Sequence, residues 1–364
     1  MKPTIAIRDL KFKNITELRE MLEGDMHFQK VSAKDLRNWI VENPEIVEHD
    51  EIRYEYNFLS ERLIIKCMPT ATHDTLQYFF TQTVFGSLVE KVGLLKAHGL
   101  VTVGSGTTFR LTGFEGDWSG SSQKLPDGFV KLSDAEFPAV VCEAGWAETL
   151  EELIEGARLW LLNTGGQTKI VIVMCFTETH IRSGTDLGSE VSEDEMGTRG
   201  RQTAERILIE SIDESTKLLD LAHQLRDLNE QDKLRIPLIG ELQASLHVYR
   251  ALEDFKDITE LFGTTILPSP PVNFEGPCEF QITTQDILGE DIPADMDPMD
   301  PITFSLPVLE ALAAQSLPNT AWYRANRRAE KPMKEAGVWR ESDTFAQHKR
   351  RRKGGAWGEG RETN

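Results

Sequence analysis

Two acidic residues in the middle of the chain have the types and spacing of a metal-dependent active site. Asp127 follows Pro126, and Glu143 stands inside the apolar run Pro138–Gly145. A desolvated carboxylate in such a run costs several kcal/mol unless it has a partner. When two carboxylates meet at the ends of neighbouring strands, a divalent metal ion is the usual partner. The pattern therefore predicts a site for Mg²⁺ or Mn²⁺ held by Asp127 and Glu143.

Strand geometry decides which side chains could reach this site. Side chains alternate along a strand, so Val141, Glu143 and Gly145 share one face while Cys142 faces the other way. Asp127 can approach Glu143 if their two strands pair as a hairpin. The alternative is purely structural: Asp127 caps a turn, and Glu143 pairs with an arginine.

The elements around the two acids follow a definite order. Apolar residues three and four apart predict a helix that begins at Thr72. Three strands are predicted next: Leu100–Leu111, Phe129–Leu132 and Ala139–Ala144. Thr149 and Glu152 form a capping box that starts a second helix, and the apolar run Lys169–Phe176 is typical of a strand covered on both faces. This order predicts an α/β fold in which helices flank a mixed central sheet.

Changes in composition divide the chain into four predicted regions. They are 1–62, a mostly helical lead-in; 63–178, the core; 179–316, a C-terminal extension; and 317–364, a basic, disordered tail. An acidic, Gly- and Ser-rich loop over 178–200 opens the extension, and a long helix over Thr203–Leu228 follows it. Further strands are predicted in the extension at Leu242–Tyr249, Cys278–Thr283 and Ile302–Leu306.

The bulk composition limits the class of protein. With 364 residues, 40% of them hydrophobic, the chain is long enough to bury a large core. The formal net charge of −19 argues against a broad nucleic-acid footprint, because phosphate binding depends on Lys and Arg. Neither a membrane span nor a secretory signal is evident, so we expect no membrane partner. The four scattered cysteines indicate buried thiols in a reducing compartment, so we expect the protein inside the cell, in the nucleus or the cytoplasm.

A dense basic run near the C-terminus contrasts with the acidic bulk. It consists of Lys349, Arg350, Arg351, Arg352 and Lys353. Such a run predicts nucleic-acid binding or a nuclear address, and the alternative is a solvated, disordered terminus.

Several stretches, taken in order, resemble the PD-(D/E)XK restriction-endonuclease-like superfamily. Pro126-Asp127 matches the PD element, and Val140–Glu143 matches the strand that carries the second acid. Lys66–His73 resembles the entry from strand to helix, and Leu150–Leu161 matches the helix before the last core strand. The chain looks closest to the branch of small restriction-endonuclease proteins abundant in bacteria, here with fungal-type extensions. The resemblance covers roughly residues 63–178.

The resemblance implies a divalent-metal-dependent nuclease that hydrolyses phosphodiesters, with nucleic acid, DNA in particular, as its partner. Asp127 and Glu143 would bind Mg²⁺ or Mn²⁺. The family's lysine normally lies two residues after the second acid and stabilises developing phosphate charge, but here that position is Gly145. Lys131 or Arg158 is expected to replace it in part, although arginine cannot cycle its proton at neutral pH.

Loss of the motif lysine leaves two other functions open. One is a catalytically inactive member of the fold that acts as a binding or interaction module, and the other is a scaffold without a metal. The oligomeric state is also open, with a homodimer as one possible assembly.

Overall fold

The structure of the chain is a computed structural model that describes residues 26–28, 30–42, 53–66, 71–111, 122–146, 148–179, 204–234, 236–268 and 277–340. The basic run Lys349–Lys353, most of the acidic loop 178–200 and residues 67–70 of the stretch Lys66–His73 lie outside the described residues. The chain divides into two compact units. Unit 1 is Met1–Glu178 with Leu242–Ser316, and unit 2 is Thr179–Glu241 with Leu317–Asn364.

Strands and helices are mixed along the whole described chain. In order they are β1 (Met26–Phe28), α1 (Ala33–Glu42), β2 (Arg53–Asn57), β3 (Arg62–Lys66), α2 (Ala71–Val92), α3 (Leu94–Leu100), β4 (Val101–Gly104), β5 (Phe109–Leu111), β6 (Ser122–Lys124), β7 (Gly128–Leu132), β8 (Val140–Gly145), α4 (Leu150–Leu162), β9 (Ile170–Thr179), α5 (204–210), α6 (Leu218–Glu230), β10 (Glu241–Ala251), β11 (Ile258–Leu267), β12 (Glu279–Thr283), α7 (Thr284–Leu288), β13 (Pro301–Ser305) and α8 (Leu306–Glu335). No helix among these residues is both long enough and apolar enough to span a bilayer.

A six-stranded mixed sheet forms the centre of unit 1, in the order β11-β10-β9-β8-β7-β4. β4 pairs antiparallel with β7, β7 pairs antiparallel with β8, and β8 pairs parallel with β9. β8 is buried along its whole length and β9 as far as Phe176, as expected for strands covered on both faces. The predicted α/β fold with a mixed central sheet flanked by helices is confirmed.

Alternate residues of β8 enter two different hydrophobic clusters. Val140 packs on one face of the sheet with Phe80 of α2 and Phe304 of β13. Val141 packs on the other face with Trp160 of α4. The predicted capping box at the start of α4 is present, because Thr149 and Glu152 exchange side-chain and backbone hydrogen bonds.

A second sheet in unit 1 has five antiparallel strands in the order β1-β3-β2-β6-β5. β6 ends at Lys124 in this sheet, and β7 begins at Gly128 in the central sheet. Only Leu125, Pro126 and Asp127 connect the two strands. Lys124 and Asp127 are therefore close in sequence but belong to different sheets.

Two predicted elements are divided in the structure. Leu100–Leu111, predicted as one curved strand, forms β4 in the central sheet and β5 in the five-stranded sheet. The chain turns between them through Gly106, whose φ of 68° suits glycine. The helix predicted over Thr203–Leu228 is interrupted between α5 and α6. There the Asp213 carboxylate accepts hydrogen bonds from the backbone N–H and the hydroxyl of Ser215, a local turn that competes with the helix.

The two ends of the described chain also differ from expectation. The lead-in 1–62, expected to be mostly helical, contains α1 but also β1 and β2, which pair on either side of β3. The tail 317–364, expected to be disordered, is helical as far as Glu335 as part of α8. Within unit 2, this stretch buries Ala325, Ala329 and Met333 against Leu218 and its neighbours on α6, and such packing stabilises a helix that propensity alone would not.

Candidate functional site

The two predicted acids lie next to each other where β7 begins. Gly128 opposes Cys142 in the register of β7 and β8, so Asp127, the residue before β7, lies beside Glu143. The Asp127 oxygen Oδ2 accepts a hydrogen bond from the backbone N–H of Ala144 at 2.7 Å. Glu143 itself is buried, with 3% of its surface exposed. The structure therefore brings Asp127 and Glu143 together at one end of the strand pair.

The pKa of the Cys142 thiol is affected by the charges of both acids. Its side chain lies on the opposite face of β8, in the cluster with Phe80, as strand alternation predicts. Burial raises the pKa of the Cys142 thiol well above its ordinary value, and the charges of Asp127 and Glu143 raise it further. A thiol in this position is neutral at physiological pH and is not a nucleophile.

Lys124 lies between two buried carboxylates. Its Nζ is 2.6 Å from Oε2 of Glu55, on β2, and 3.2 Å from Oε1 of Glu143. The backbone N–H of Leu125 donates a further hydrogen bond to Oε1 of Glu55, at 3.3 Å. All three charged side chains are buried, so each depends on the others for compensation of its charge.

Trp160 holds the carboxylate of Glu143 from the side of α4. Its indole N–H donates to Oε1 of Glu143 at 2.8 Å, and the ring is fully buried. The ammonium of Lys124 lies against the same oxygen. Two donors, one from α4 and one from β6, therefore fix the position of the Glu143 carboxylate. Hydrogen bonds to an ionised acceptor are stronger than neutral ones, and a rigid carboxylate results.

Gly145, where the superfamily that the chain resembles carries its lysine, is closely packed. A Cβ there would lie 2.8 Å from both terminal methyl carbons of Leu153 and 3.1 Å from Cβ of Glu148. Leu153 belongs to α4, so this helix closes the space in which the motif lysine would extend. A lysine at this position would therefore require Leu153 to move.

The two side chains predicted to replace the lysine lie away from the acids. Lys131 is near the far end of β7, where its Nζ donates to the carbonyl oxygens of Leu132 and Ala135 at 3.2 and 2.7 Å. Arg158 pairs with Asp257 at 2.7 Å, and both side chains are about half exposed. It lies two residues from Trp160 on α4, which turns it to the other side of the helix.

A narrow cleft of about 20 Å³, room for roughly one water molecule, borders Lys124. It lies between the five-stranded sheet and α4, and its lining is mostly charged: Glu55, Asn57, Arg62, Ile64, Lys124, Glu148, Glu152 and Gly156. Nη2 of Arg62 is 2.9 Å from Oε1 of Glu148 and 3.5 Å from Oε2 of Glu152. A water molecule fits beside these side chains, whereas a phosphodiester would require the cleft to open.

The donor set around Glu143 suits one kind of metal. Magnesium is commonly bound by one or two protein carboxylates, with water and phosphate oxygens as its other ligands, and Asp127 and Glu143 match that requirement. Within the ranges that the structure describes, no three His, Cys, Asp or Glu side chains group as a metal site. A structural zinc site with four protein ligands therefore does not fit these residues.

The sequence interpretation missed Lys124, Glu55 and the role of Trp160. One signal for Lys124 was its place just before Pro126-Asp127, since a residue so near the first acid must lie close to the site. A signal for Glu55 was its place between Tyr54 and Tyr56, an acid inside a strand-like stretch. A signal for Trp160 is its place near the end of the predicted helix Leu150–Leu161, since an indole buried near an acid needs a hydrogen-bond acceptor.

Comparison with known proteins assigns no family to the chain. No family model matches the sequence, and a search of curated proteins finds no significant match. The functional conclusions below therefore rest on residue geometry and on the resemblance in the order of motifs.

Proposed function

We propose that the chain is a divalent-metal-dependent nuclease, or a recent descendant of one, with a restriction-endonuclease-like core. The observation that carries the proposal is the ammonium of Lys124, 3.2 Å from the carboxylate of Glu143. This cation lies beside the second acid, whereas Leu153 occupies the space next to Gly145, the position of the motif lysine. The succession α2, β4, β7, β8, α4 and β9, in which β8 and β9 are parallel, agrees with the core that the resemblance implies.

Each residue of the site has a role in this proposal. Asp127 and Glu143 hold Mg²⁺ or Mn²⁺; when bound, the ion polarises the phosphodiester and lowers the pKa of a water. Lys124 replaces the motif lysine in space and places a positive charge where phosphate charge develops. Trp160 orients the carboxylate of Glu143, and Glu55 orients the ammonium of Lys124.

Nucleic acid, DNA in particular, is the proposed substrate. The formal net charge of −19 is unfavourable for binding a polyanion, so the affinity must come from a local basic segment. The basic run Lys349–Lys353 is the segment we assign to this role. Removal of residues after Gln347 is then expected to weaken DNA binding while the metal-binding acids remain in place.

A catalytically inactive binding or interaction module is the second candidate. Two contacts favour it: Oε1 of Glu143 already accepts from Lys124 and Trp160, and Oδ2 of Asp127 already accepts from the backbone of Ala144. Carboxylates stabilised in this way do not require a metal to remain buried.

Cleavage of plasmid DNA in Mg²⁺ or Mn²⁺ tests the nuclease against the inactive module. We expect metal-dependent nicking by the wild type and a loss of at least about 100-fold in Lys124→Met and Glu143→Gln, since each removes a group that acts in the transition state. Lys131→Met is the matched control and should cut like the wild type. Wild-type protein that binds DNA but does not cut it in either metal would favour the inactive module.

Metal binding can be measured separately from cleavage. A ligand that binds only the folded protein adds about 2.7 kcal/mol to the free energy of unfolding at one hundred times its dissociation constant. Mn²⁺ should therefore raise the melting temperature of the wild type and not that of Asp127→Asn. An equal shift in both proteins would place the metal elsewhere.

A further inference from the structure

A second cluster of polar side chains lies on the β10–β11 hairpin of unit 1, and the nuclease proposal does not use it. Nε2 of His247 is 2.9 Å from the hydroxyl oxygen of Ser245, and Nδ1 of the same ring is 2.6 Å from Oε1 of Glu260. One imidazole thus joins a hydroxyl to a carboxylate. This connectivity is that of the serine–histidine–acid relay used in acyl transfer.

We propose that Ser245, His247 and Glu260 form an acyl-transfer site that acts on esters with a good leaving group, such as aryl esters. A carboxylate on Nδ1 holds the imidazole in the tautomer that carries its proton there, so Nε2 is left as the base. Nε2 faces the hydroxyl of Ser245, which makes Ser245 the nucleophile.

The hairpin geometry explains how the three residues meet. Ser245 and His247 are two apart on β10 and therefore share one face of the sheet. Glu260 is opposite Tyr249 rather than opposite His247, and an irregularity in the register lies between Val248 and Tyr249. Bulges of this kind redirect side chains and are frequent beside active sites.

A glycine makes room for the carboxylate of Glu260. Gly263 is the register partner of His247. A Cβ at Gly263 would collide with the Glu260 carboxylate and would lie 3.3 Å from Nδ1 of His247. The glycine therefore allows the carboxylate to lie across the strand and reach the ring.

The surroundings hold the imidazole in place and leave the site open to solvent. The rings of His247 and Tyr249 stack with their centroids 6.2 Å apart. The side chain of His247 is 14% exposed and that of Glu260 is 45% exposed. Burial, with the nearby charges of Glu260 and Cys175, raises the pKa of Tyr249 to about 12, so its hydroxyl stays neutral beside the relay.

The proposed reaction is balanced without a metal or a cofactor. Oγ of Ser245 bonds to the acyl carbon, its proton passes to Nε2 of His247, and the bond to the leaving oxygen breaks. The leaving alcohol departs with the proton from Nε2. Water then attacks the acyl-serine in the same way, which releases the carboxylic acid and restores Ser245. Glu260 contacts His247 but none of the reacting atoms, so it is a positioning residue.

Reaction of the full chain with a fluorophosphonate probe, followed by peptide mass spectrometry, tests the proposal. The reaction is run in EDTA, so failure of the metal-dependent nuclease proposal does not affect the result. We expect one probe on Ser245, none at that position in Ser245→Ala, and unchanged labelling in Ser133→Ala. Ser133 is a suitable control because it is an exposed serine whose hydroxyl donates to the carbonyl of Gly99 at 2.8 Å.

Variants of the other two residues separate a catalytic relay from a structural contact. His247→Gln and Glu260→Gln should label at least about tenfold more slowly, because each disturbs the base, while their melting temperatures stay close to that of the wild type. Glu260→Asp should recover part of the rate. The proposal is overturned by a wild type that is not labelled at Ser245, or by His247→Gln labelled as fast as the wild type.

Discussion

Gly156 of α4 lies against the ammonium of Lys124, so that a Cβ at Gly156 would be 3.4 Å from Nζ. Leu153, three residues earlier on the same helix, occupies the space next to Gly145. One face of α4 therefore packs against both Gly145 of β8 and the ammonium of Lys124 from β6.

Replacement of Lys124 by alanine should strongly destabilise the protein. The change leaves Glu55 and Glu143 buried without their shared cation, and breaking a buried ion pair from one side typically costs about 3–5 kcal/mol. Denaturant unfolding measures the loss. Lys169→Ala, at an exposed position before β9, should change stability by less than about 0.5 kcal/mol. Equal stability of the two variants would show that the cation contributes nothing to the cluster.

Alanine at Gly145 and alanine at Gly156 should have opposite effects. Gly145→Ala forces a methyl group to within 2.8 Å of Leu153 and should cost about 1–3 kcal/mol through overpacking. Gly156→Ala makes an ordinary contact with the flexible end of Lys124 and removes a glycine from a helix, so it should be neutral or stabilising by up to about 1 kcal/mol. Thermal unfolding of both variants is the measurement. Destabilisation by Gly156→Ala as large as that by Gly145→Ala would contradict the packing described for α4.

Trp160→Phe should cost more than the same change at Trp146. The indole of Trp160 is fully buried and donates to Glu143, so its loss removes a bond to an ionised group worth about 1.5–3 kcal/mol. Trp146 donates to Glu178 at 2.9 Å from a partly buried position, where water can replace the lost donor. Chemical unfolding of the two variants compares them directly. A smaller loss at position 160 would mean that Glu143 does not depend on the indole.

Alkaline pH should reduce stability through Tyr56. Its hydroxyl donates to the carbonyl of Val31 at 2.7 Å, and burial, together with Glu61 and Asp35, raises its pKa from 10.0 to about 12. The neutral form is favoured in the folded state, so this contribution to stability is complete below pH 10 and is lost as the pH rises towards 12. Tyr56→Phe should flatten the fall in unfolding free energy over this window. Tyr78→Phe, at an exposed tyrosine, should leave the slope unchanged, and a flattening there would argue against burial as the cause.

Sequence reasoning located the parts of the site that depend on local pattern. Glu143 was evident because it interrupts an apolar strand, and α4 was evident because Thr149 and Glu152 form a capping box. Both signals lie within a few residues of the feature that they predict. β8 and β9 could be predicted for the same reason, since each is an apolar run, whereas β11 was not predicted.

Residues that depend on long-range pairing could not be predicted in this way. Glu55 reaches the site only because β2 pairs with β6, and that pairing consists of Tyr56 opposite Gln123. The burial of Lys124 is likewise decided by its pairing with Glu55 on the partner strand, which the sequence around Lys124 does not show. Lys131 was expected near the acids from the regular geometry of its strand, and Arg158 from its place on the following helix, so neither prediction considered a cation from a second sheet.

The distance in sequence between Glu55 and Lys124, 69 residues, bears on the order in which the site is assembled during folding. The β7–β8 hairpin is local, so Asp127 is expected to lie beside Glu143 early in folding. The contact between Glu55 and Lys124 forms only after the long loop between them closes. A nascent or partly folded chain can thus hold the two acids before the ammonium is anchored. Under the nuclease proposal, Mn²⁺ affinity is therefore expected to return before cleavage when the chain refolds, so that a partly folded chain would hold metal without cutting nucleic acid.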